Sequence, residues 1–187
     1  MMALVNIYLE TERLVLRRFT QDDADLLIEL DSDPEVMRYL TGGVATPPEL
    51  VRERDLPYVL AGYDRWDGNF GLFAAQEKDG TFVGWFHLRP EQGAPLDEVE
   101  LGYRLRRAAW GKGYATEGCR ALVHKGFVDL GVRVVWAATM TANTASQKVM
   151  KKVGMRHVEA IPTPPDMQMC EGADLGGVRY EIRKEQA

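Results

Sequence analysis

The chain has 187 residues, 45% of them hydrophobic and 27% charged, with a formal net charge of −5; that size and balance fit one globular domain, residues 1–187, with a core large enough to need no staples. An acidic balance without basic runs excludes a nucleic-acid partner held by phosphate neutralisation. With no charged-then-apolar leader and no apolar run of membrane-spanning length, a cytoplasmic protein without a membrane partner is expected.

Residues 5–18 alternate, with Leu14 and Leu16 on one side, and predict the first strand. Thr20-Gln-Asp-Asp23 is a capping-box-like start for a helix that buries Ala24, Leu27 and Ile28. Asp33-Pro34 restarts that helix, the aspartate as cap and the proline where its missing donor costs nothing. Thr46-Pro-Pro-Glu49 repeats the device ahead of a helix over residues 50–63, which Pro57 should kink or split by removing a hydrogen bond. Residues 70–76 and 81–88 are apolar, aromatic-rich strands around an Asp79-Gly80 hairpin signal. Residues 98–105 follow as a strand with Val99, Leu101, Tyr103 and Leu105 on one face, and Glu98, Glu100, Gly102 and Arg104 on the other.

After a short spacer comes Trp110-Gly-Lys-Gly-Tyr-Ala-Thr-Glu117, a glycine-bearing turn at the mouth of a helix. Gly111 and Gly113 leave the main chain free of bulk, so several N–H groups can point at one anion while the helix adds its orphan donors and positive dipole end. The ligand expected there carries a pyrophosphate. The Walker pattern fails, because no Gly-Lys-Ser/Thr follows at the required spacing. A dinucleotide fingerprint fails too, because position 116 is Thr116 and the next strand ends without an acidic residue.

Ala115, Cys119, Leu122, Val123, Phe127 and Leu130 recur at helical spacing, and Gly131 supplies a stop. Residues 132–139 form a nearly continuous apolar strand, as a sheet interior requires. Asn143 then caps a helix with Ala145, Val149 and Val153 inward, ending at Gly154. Residues 155–159 and 178–183 close the sheet as a hairpin across a long, proline- and glycine-rich connection, residues 160–177, of the kind that carries function or moves. Cys119 lies on a helix face and Cys170 in an irregular stretch, which argues against a disulfide framework or a metal site.

Taken together, the opening Glu10-Thr-Glu-Arg-Leu-Val-Leu-Arg17, the Asp33-Pro-Glu-Val-Met-Arg-Tyr-Leu40 segment, the strand, turn and helix around Gly111, and Asn143-x-x-Ser146 followed by Lys152-Val-Gly-Met155 resemble the GNAT N-acetyltransferases, and within them the RimJ/RimL-type group that acts on ribosomal-protein N-termini. The resemblance spans nearly the whole chain. It implies a single-domain α/β GNAT-like fold, a mixed, mostly antiparallel sheet with helices on both faces, and acetyl-CoA as co-substrate. The family pattern has Gln or Arg three residues before the first glycine, where this chain has Ala108, so that cofactor contact falls to Arg106 or Arg107, or to neither. The resemblance also makes residues 46–63 one wall of the acceptor cleft.

Acetyl transfer needs a neutral amine, a polarised carbonyl and a proton for the departing thiolate. A lysine amine (pKa ~10.4) is only about one part in a thousand neutral near pH 7, whereas an α-amino group (~7.7–8.0) is roughly a tenth neutral. Glu100 is the candidate base, directly or through a water, because it lies on the strand beside the turn and away from its apolar face; the alternatives are a solvated carboxylate or an ion pair with Arg104. Glu98, Asp97 and Glu159 are weaker candidates. Asn143 is sufficiently explained as an N-cap; the resemblance adds a cofactor contact and makes Ser146 a candidate proton donor to the sulfur, where otherwise it is a local hydrogen bonder. By resemblance Tyr103, Arg104 and Leu105 pair their main chain with the pantetheine arm, and a free strand N–H there could polarise the carbonyl. Cofactor binding is assigned to these three, Arg106, Asn143, the turn residues Gly111, Gly113, Tyr114, Ala115 and Thr116 as backbone donors, and, ranked below them, Lys112 as a phosphate ligand, since a lysine in a turn is more often solvated.

His87 could serve as a base, but a lone histidine is more often packed; His124 and His157 have less to recommend them. Cys119 reads as a core residue rather than an acyl carrier, so direct attack on the thioester is expected. Trp66, Trp85, Tyr39 and Tyr180 could line an acceptor pocket, with Asp166, Glu171 and Asp174 drawing in a cationic amine. The expected reaction is transfer of acetyl to a primary amine, with the resemblance favouring a protein N-terminal α-amino group. Rivals are a small-molecule acetyltransferase acting on a polyamine, amino sugar or antibiotic, and a non-catalytic acyl-CoA-binding module. A homodimer is compatible with all of these.

Overall fold

The computed structural model describes residues 6–186, so Val5 and the two ends of the span 1–187 lie outside the described residues. The predicted first strand is two strands, β1 (Ile7–Glu10) and β2 (Leu14–Arg18), because Thr11 reverses the chain: its hydroxyl accepts the Leu14 N–H at 2.9 Å and its own N–H donates to the Leu14 carbonyl at 2.9 Å. A short 3₁₀ turn, Gln21–Asp23, then leads into α1 (Ala24–Ser32). Asp23 accepts from the Thr20 N–H at 2.7 Å and grips the Arg17 guanidinium through both oxygens at 2.7 and 2.8 Å. Asp33 caps α2 (Pro34–Met37) through the Glu35 N–H at 2.9 Å.

Pro57 splits its segment as expected: α3 (Pro48–Leu50) passes through a π-helical turn, Val51–Asp55, into α4 (Leu56–Arg65). The missing donor is absorbed by a widened turn, in which the Leu56 N–H reaches back to the Val51 carbonyl. Strands β3 (Gly71–Glu77), β4 (Phe82–Arg89) and β5 (Glu98–Leu105) follow, then α5 (Tyr114–Val128), β6 (Val134–Met140), α6 (Thr144–Val153), β7 (Arg156–Ile161) and β8 (Gly177–Arg183). They make one eight-stranded sheet in the order β1-β2-β3-β4-β5-β6-β8-β7. Only β5 and β6 are parallel, and the other neighbours are antiparallel.

Helices cover both faces. On one, Phe73, Phe86, Leu88, Val99, Leu101, Leu122 and Val135 form a buried core beneath α5 and α6. A Cβ on Gly118 would fall 2.4 Å from the Phe86 ring, so the glycine is what lets α5 lie this close to β4. On the other face, Phe19, Leu27, Leu30, Val51, Leu56 and Phe82 pack α1 and α4 against β2–β4. Ala145, expected inward, is exposed; Met150 and Val153 are buried, with Ser146 and Val149 partly so, because the stripe at 146, 149, 150 and 153 faces the sheet.

Candidate active site

The parallel pairing of β5 with β6 stops after three residue pairs, the last being Glu100 with Trp136. Beyond it β5 keeps its ladder to β4 as far as Leu105, and β6 keeps its ladder to β8 as far as Met140, so the two strands part and leave a gap. Splaying cannot be read from residue types, since both strands carry ordinary strand sequence.

The predicted glycine turn lies at the β5 end of this gap. Gly111 has φ of +74° and Gly113 of +86°, left-handed conformations that favour glycine. Gly111, Lys112 and Gly113 are exposed, and Gly113 is the N-cap of α5 without a capping side chain. Among the described residues, the N–H groups of Gly111, Lys112, Gly113, Tyr114, Ala115 and Thr116 make no hydrogen bond to a protein acceptor. Six successive N–H donors around the exposed Gly111, Lys112 and Gly113 are left without a protein acceptor, which fits a diphosphate.

A cationic side chain that the sequence reading missed stands beside them. Arg13 donates to the Lys112 carbonyl at 2.9 Å, reaches within 3.4 Å of where a Gly113 Cβ would be, lies over the Tyr114 ring, and is held by Glu117 at 2.7 Å. Glu117 also accepts from the Thr11 hydroxyl, so the β1–β2 turn is what delivers Arg13 to the site. Arg106 is turned elsewhere, paired with Glu29 on α1 and with its guanidinium over Phe82, while Arg107 stands 3.9 Å from Asp33. Neither side chain faces the turn in place of the Gln or Arg replaced by Ala108.

On the α5–α6 side of the gap, the Tyr103 hydroxyl is 2.8 Å from Ser146 Oγ and 3.2 Å from the Ser146 carbonyl. Asn143 Oδ1 caps α6 through the Ser146 N–H at 3.1 Å and so fixes the serine. Burial raises the Tyr103 pKa, keeping a protonated hydroxyl in contact with Ser146. Cys119 is buried, which raises its thiol pKa and makes it inert.

On the opposite face, Glu100 Oε2 is 3.3 Å from His87 Nε2 and 3.4 Å from the Arg89 guanidinium. Burial acts to raise the Glu100 pKa, but Arg89 and, where it is protonated, the facing His87 outweigh it and lower it. His87 is 6% exposed, and burial lowers its pKa further than Glu100 restores it. Near neutral pH the pair is thus a carboxylate beside a neutral imidazole. Arg104 pairs not with Glu100 but with Asp31 at 2.5 Å, and lies over Trp85. The other carboxylates are placed differently: Glu98 pairs with Arg179, Asp97 with Arg133, and Glu159 lies on the exposed edge strand β7.

Of the aromatic candidates, Trp85 shares the Glu100 face and stacks on His87. Trp66 packs against the α5-side core, and Tyr180 is buried with its hydroxyl donating to Gln147. Tyr39 lies beside Arg38 in the turn after α2. The long connection reaches that turn: Arg38 Nε donates to Glu171 at 2.5 Å, and Met169 packs its carbonyl on Gly42. Asp31 ties the end of α1 to β5, and the Thr141 N–H ties the connection to β6 through the Gly176 carbonyl, so this contact bridges the ends of the two parting strands.

Residues 13–156 match the family described as acetyltransferase (GNAT) domain. The chain is 34% identical over 193 residues to a protein of Aspergillus fumigatus named FsC-acetyl coenzyme A-N(2)-transacetylase, a match covering 95% of this chain and 77% of that one. Among solved structures it is similar to a GNAT-family acetyltransferase from Bacillus anthracis (TM-score 0.78, 23% identity, 96% of this chain and 99% of that one). It is likewise similar to RimL, a ribosomal alpha-N-protein acetyltransferase in complex with coenzyme A (TM-score 0.78, 15% identity, 95% and 98%).

Proposed function

This chain belongs to the acetyltransferase (GNAT) family and is an acetyl-CoA-dependent N-acetyltransferase, and we propose that its acceptor is an α-amino group, taken up on the Glu100 face. The observation that carries this reading is the division of labour across the gap between β5 and β6, with a protonated hydroxyl pair on one face and an ionised carboxylate on the other. The bound thioester supplies the activated acetyl group. In our reading the turn donors of residues 111–116 and Arg13 hold the coenzyme's phosphates, Asn143 and the main chain of Tyr103, Arg104 and Leu105 hold its arm, and Lys112 gives only its backbone, whereas Arg106 drops out because its N–H donates to the Val83 carbonyl, its carbonyl accepts from the Ala109 N–H and its guanidinium is paired with Glu29. Glu100 meets the incoming nitrogen, and Ser146, backed by Tyr103, gives the departing sulfur its proton.

A carboxylate whose pKa is lowered rather than raised is a weak base, which suits an amine already partly neutral near pH 7 better than a lysine or polyamine amine. Two carriers offer such a group. A protein N-terminus is favoured by the RimJ/RimL-type motifs. A small molecule is favoured by the Arg38–Glu171 bridge across the acceptor side and by the N(2) in the name of the Aspergillus relative. The test is a transfer assay with acetyl-CoA against N-terminal peptides, small α-amino compounds and polyamines. The α-amino compounds should turn over fastest, and a polyamine preference would overturn the assignment.

A further inference from the structure

The sheet face that carries Glu100 holds a second titratable group without a role in the reading above. His87 on β4 is 6% exposed, and among the described residues its Nε2 has no hydrogen-bond partner. The atom is 3.3 Å from Glu100 Oε2. Its position is built: the ring stacks on Trp85 with a 17° interplanar angle and lies over Gly102, where a Cβ would fall 2.5 Å from Cε1 and 2.6 Å from Nε2. Any larger residue at 102 would expel the imidazole. The groups that face it are Trp85 and Arg89 from β4, Glu100, Gly102 and Arg104 from β5, and Leu72 across the ladder from β3, with Asp31 of α1 neutralising Arg104 from behind. A buried, unpartnered imidazole nitrogen facing a carboxylate at the point where β5 and β6 part has room for one proton between the two groups.

We propose that His87 is the proton-holding partner of Glu100: the proton that the acceptor nitrogen sheds passes through the Glu100 carboxylate and rests on His87 Nε2. This rests on the reading of Glu100 as the group that meets the amine, and His87 acts through it as a positioning residue. As the C–N bond forms from the nitrogen lone pair, the N–H proton moves to His87, and as the C–S bond breaks, the sulfur takes a proton from the Ser146 and Tyr103 hydroxyls. His87 then gives its proton to water and water restores the hydroxyl, so no co-reactant is needed. Glu100 stays ionised to accept a hydrogen bond from the next neutral amine. The arrangement requires a neutral His87 at the start of each turnover, and burial provides it by disfavouring the charged imidazole.

The test is the pH profile of kcat/KM in the wild type and in His87→Gln, Glu100→Gln and Arg89→Gln, with an acceptor whose amine pKa is varied to separate its own titration. The wild type should lose activity on acidification through an enzyme pKa below 6.5 that does not follow the acceptor. His87→Gln should abolish that limb and lower kcat about 10²-fold, with thermal stabilisation by coenzyme A unchanged. Arg89→Gln, which leaves the pair in place, should move the limb to higher pH by removing a neighbouring positive charge. Glu100→Gln, which removes the carboxylate that passes the proton on, should lower kcat, weaken the limb and raise the acceptor KM. A His87→Gln enzyme that keeps both kcat and the limb overturns the proposal, as does a limb that ignores Arg89→Gln. An unchanged kcat and acceptor KM in Glu100→Gln overturns instead the reading of Glu100 on which it rests.

Discussion

Tyr103 illustrates how one residue can acquire two duties that a linear sequence separates. Its main chain belongs to the strand expected to hold the coenzyme arm, while its side chain crosses to α6 and touches Ser146. A serine hydroxyl alone is a poor acid, and a neighbouring phenol that can resupply its proton makes the pair more effective than either member. Tyr103→Phe and Ser146→Ala should each reduce kcat by at least about tenfold with little change in the KM for acetyl-CoA. The double variant should lose less than the product of the two losses, because both remove one relay. Full additivity in a double-mutant cycle would show that the two hydroxyls act apart.

At the scale of elements, the site depends on how separate segments are pinned to one another. Arg17 and Asp23 join β2 to the start of α1 with both side chains largely buried, and Thr20 supplies two further donors to Asp23. Burial works to raise the Asp23 pKa, but these hydrogen bonds and the Arg17 charge lower it. A carboxylate depressed in the folded state stabilises the fold above its unfolded pKa of ~3.9, and that contribution is lost as pH falls through the folded value. Asp23→Asn should therefore cost about 2–3 kcal/mol at pH 7, as expected for charged hydrogen bonds. In urea titrations the variant should lose less stability than the wild type as the pH is lowered from 5 toward 2, and parallel curves would refute this account. The β1–β2 turn plays a corresponding part at the other end of the sheet, since it presents Arg13 to the glycine turn.

For the whole molecule, the turn after α2 and the connection before β8 meet through Arg38 and Glu171, 133 residues apart in the chain, and under the proposed function these two segments limit the acceptor side. Their Arg38–Glu171 pair is largely exposed, so solvent screens it and it adds little to stability. Its effect belongs to access. Glu171→Gln should leave melting temperature and the KM for acetyl-CoA nearly unchanged while raising kcat/KM for bulky acceptors such as N-terminal peptides relative to small α-amino compounds. An acceptor ranking identical to the wild type would mean that the bridge does not restrict entry.

Local signals in the chain were enough for the capped helices, the Asp79-Gly80 hairpin, the split at Pro57, the two faces of the strand at 98–105 and the glycine turn, because each rests on spacing, caps or glycine within a few residues. The same local logic merged β1 with β2, since alternation continues across a turn made by a single threonine, and it set Ala145 inward by a phase error of one position on α6. The parting of β5 from β6, the Tyr103–Ser146 contact, the turning of Arg106 toward Glu29, the arrival of Arg13 at the turn and the burial of His87 against Glu100 were decided only in three dimensions. Each of these joins residues whose neighbours in space come from distant parts of the chain, and whether a charge is paired, buried or free is a property of that packing and not of the residue type.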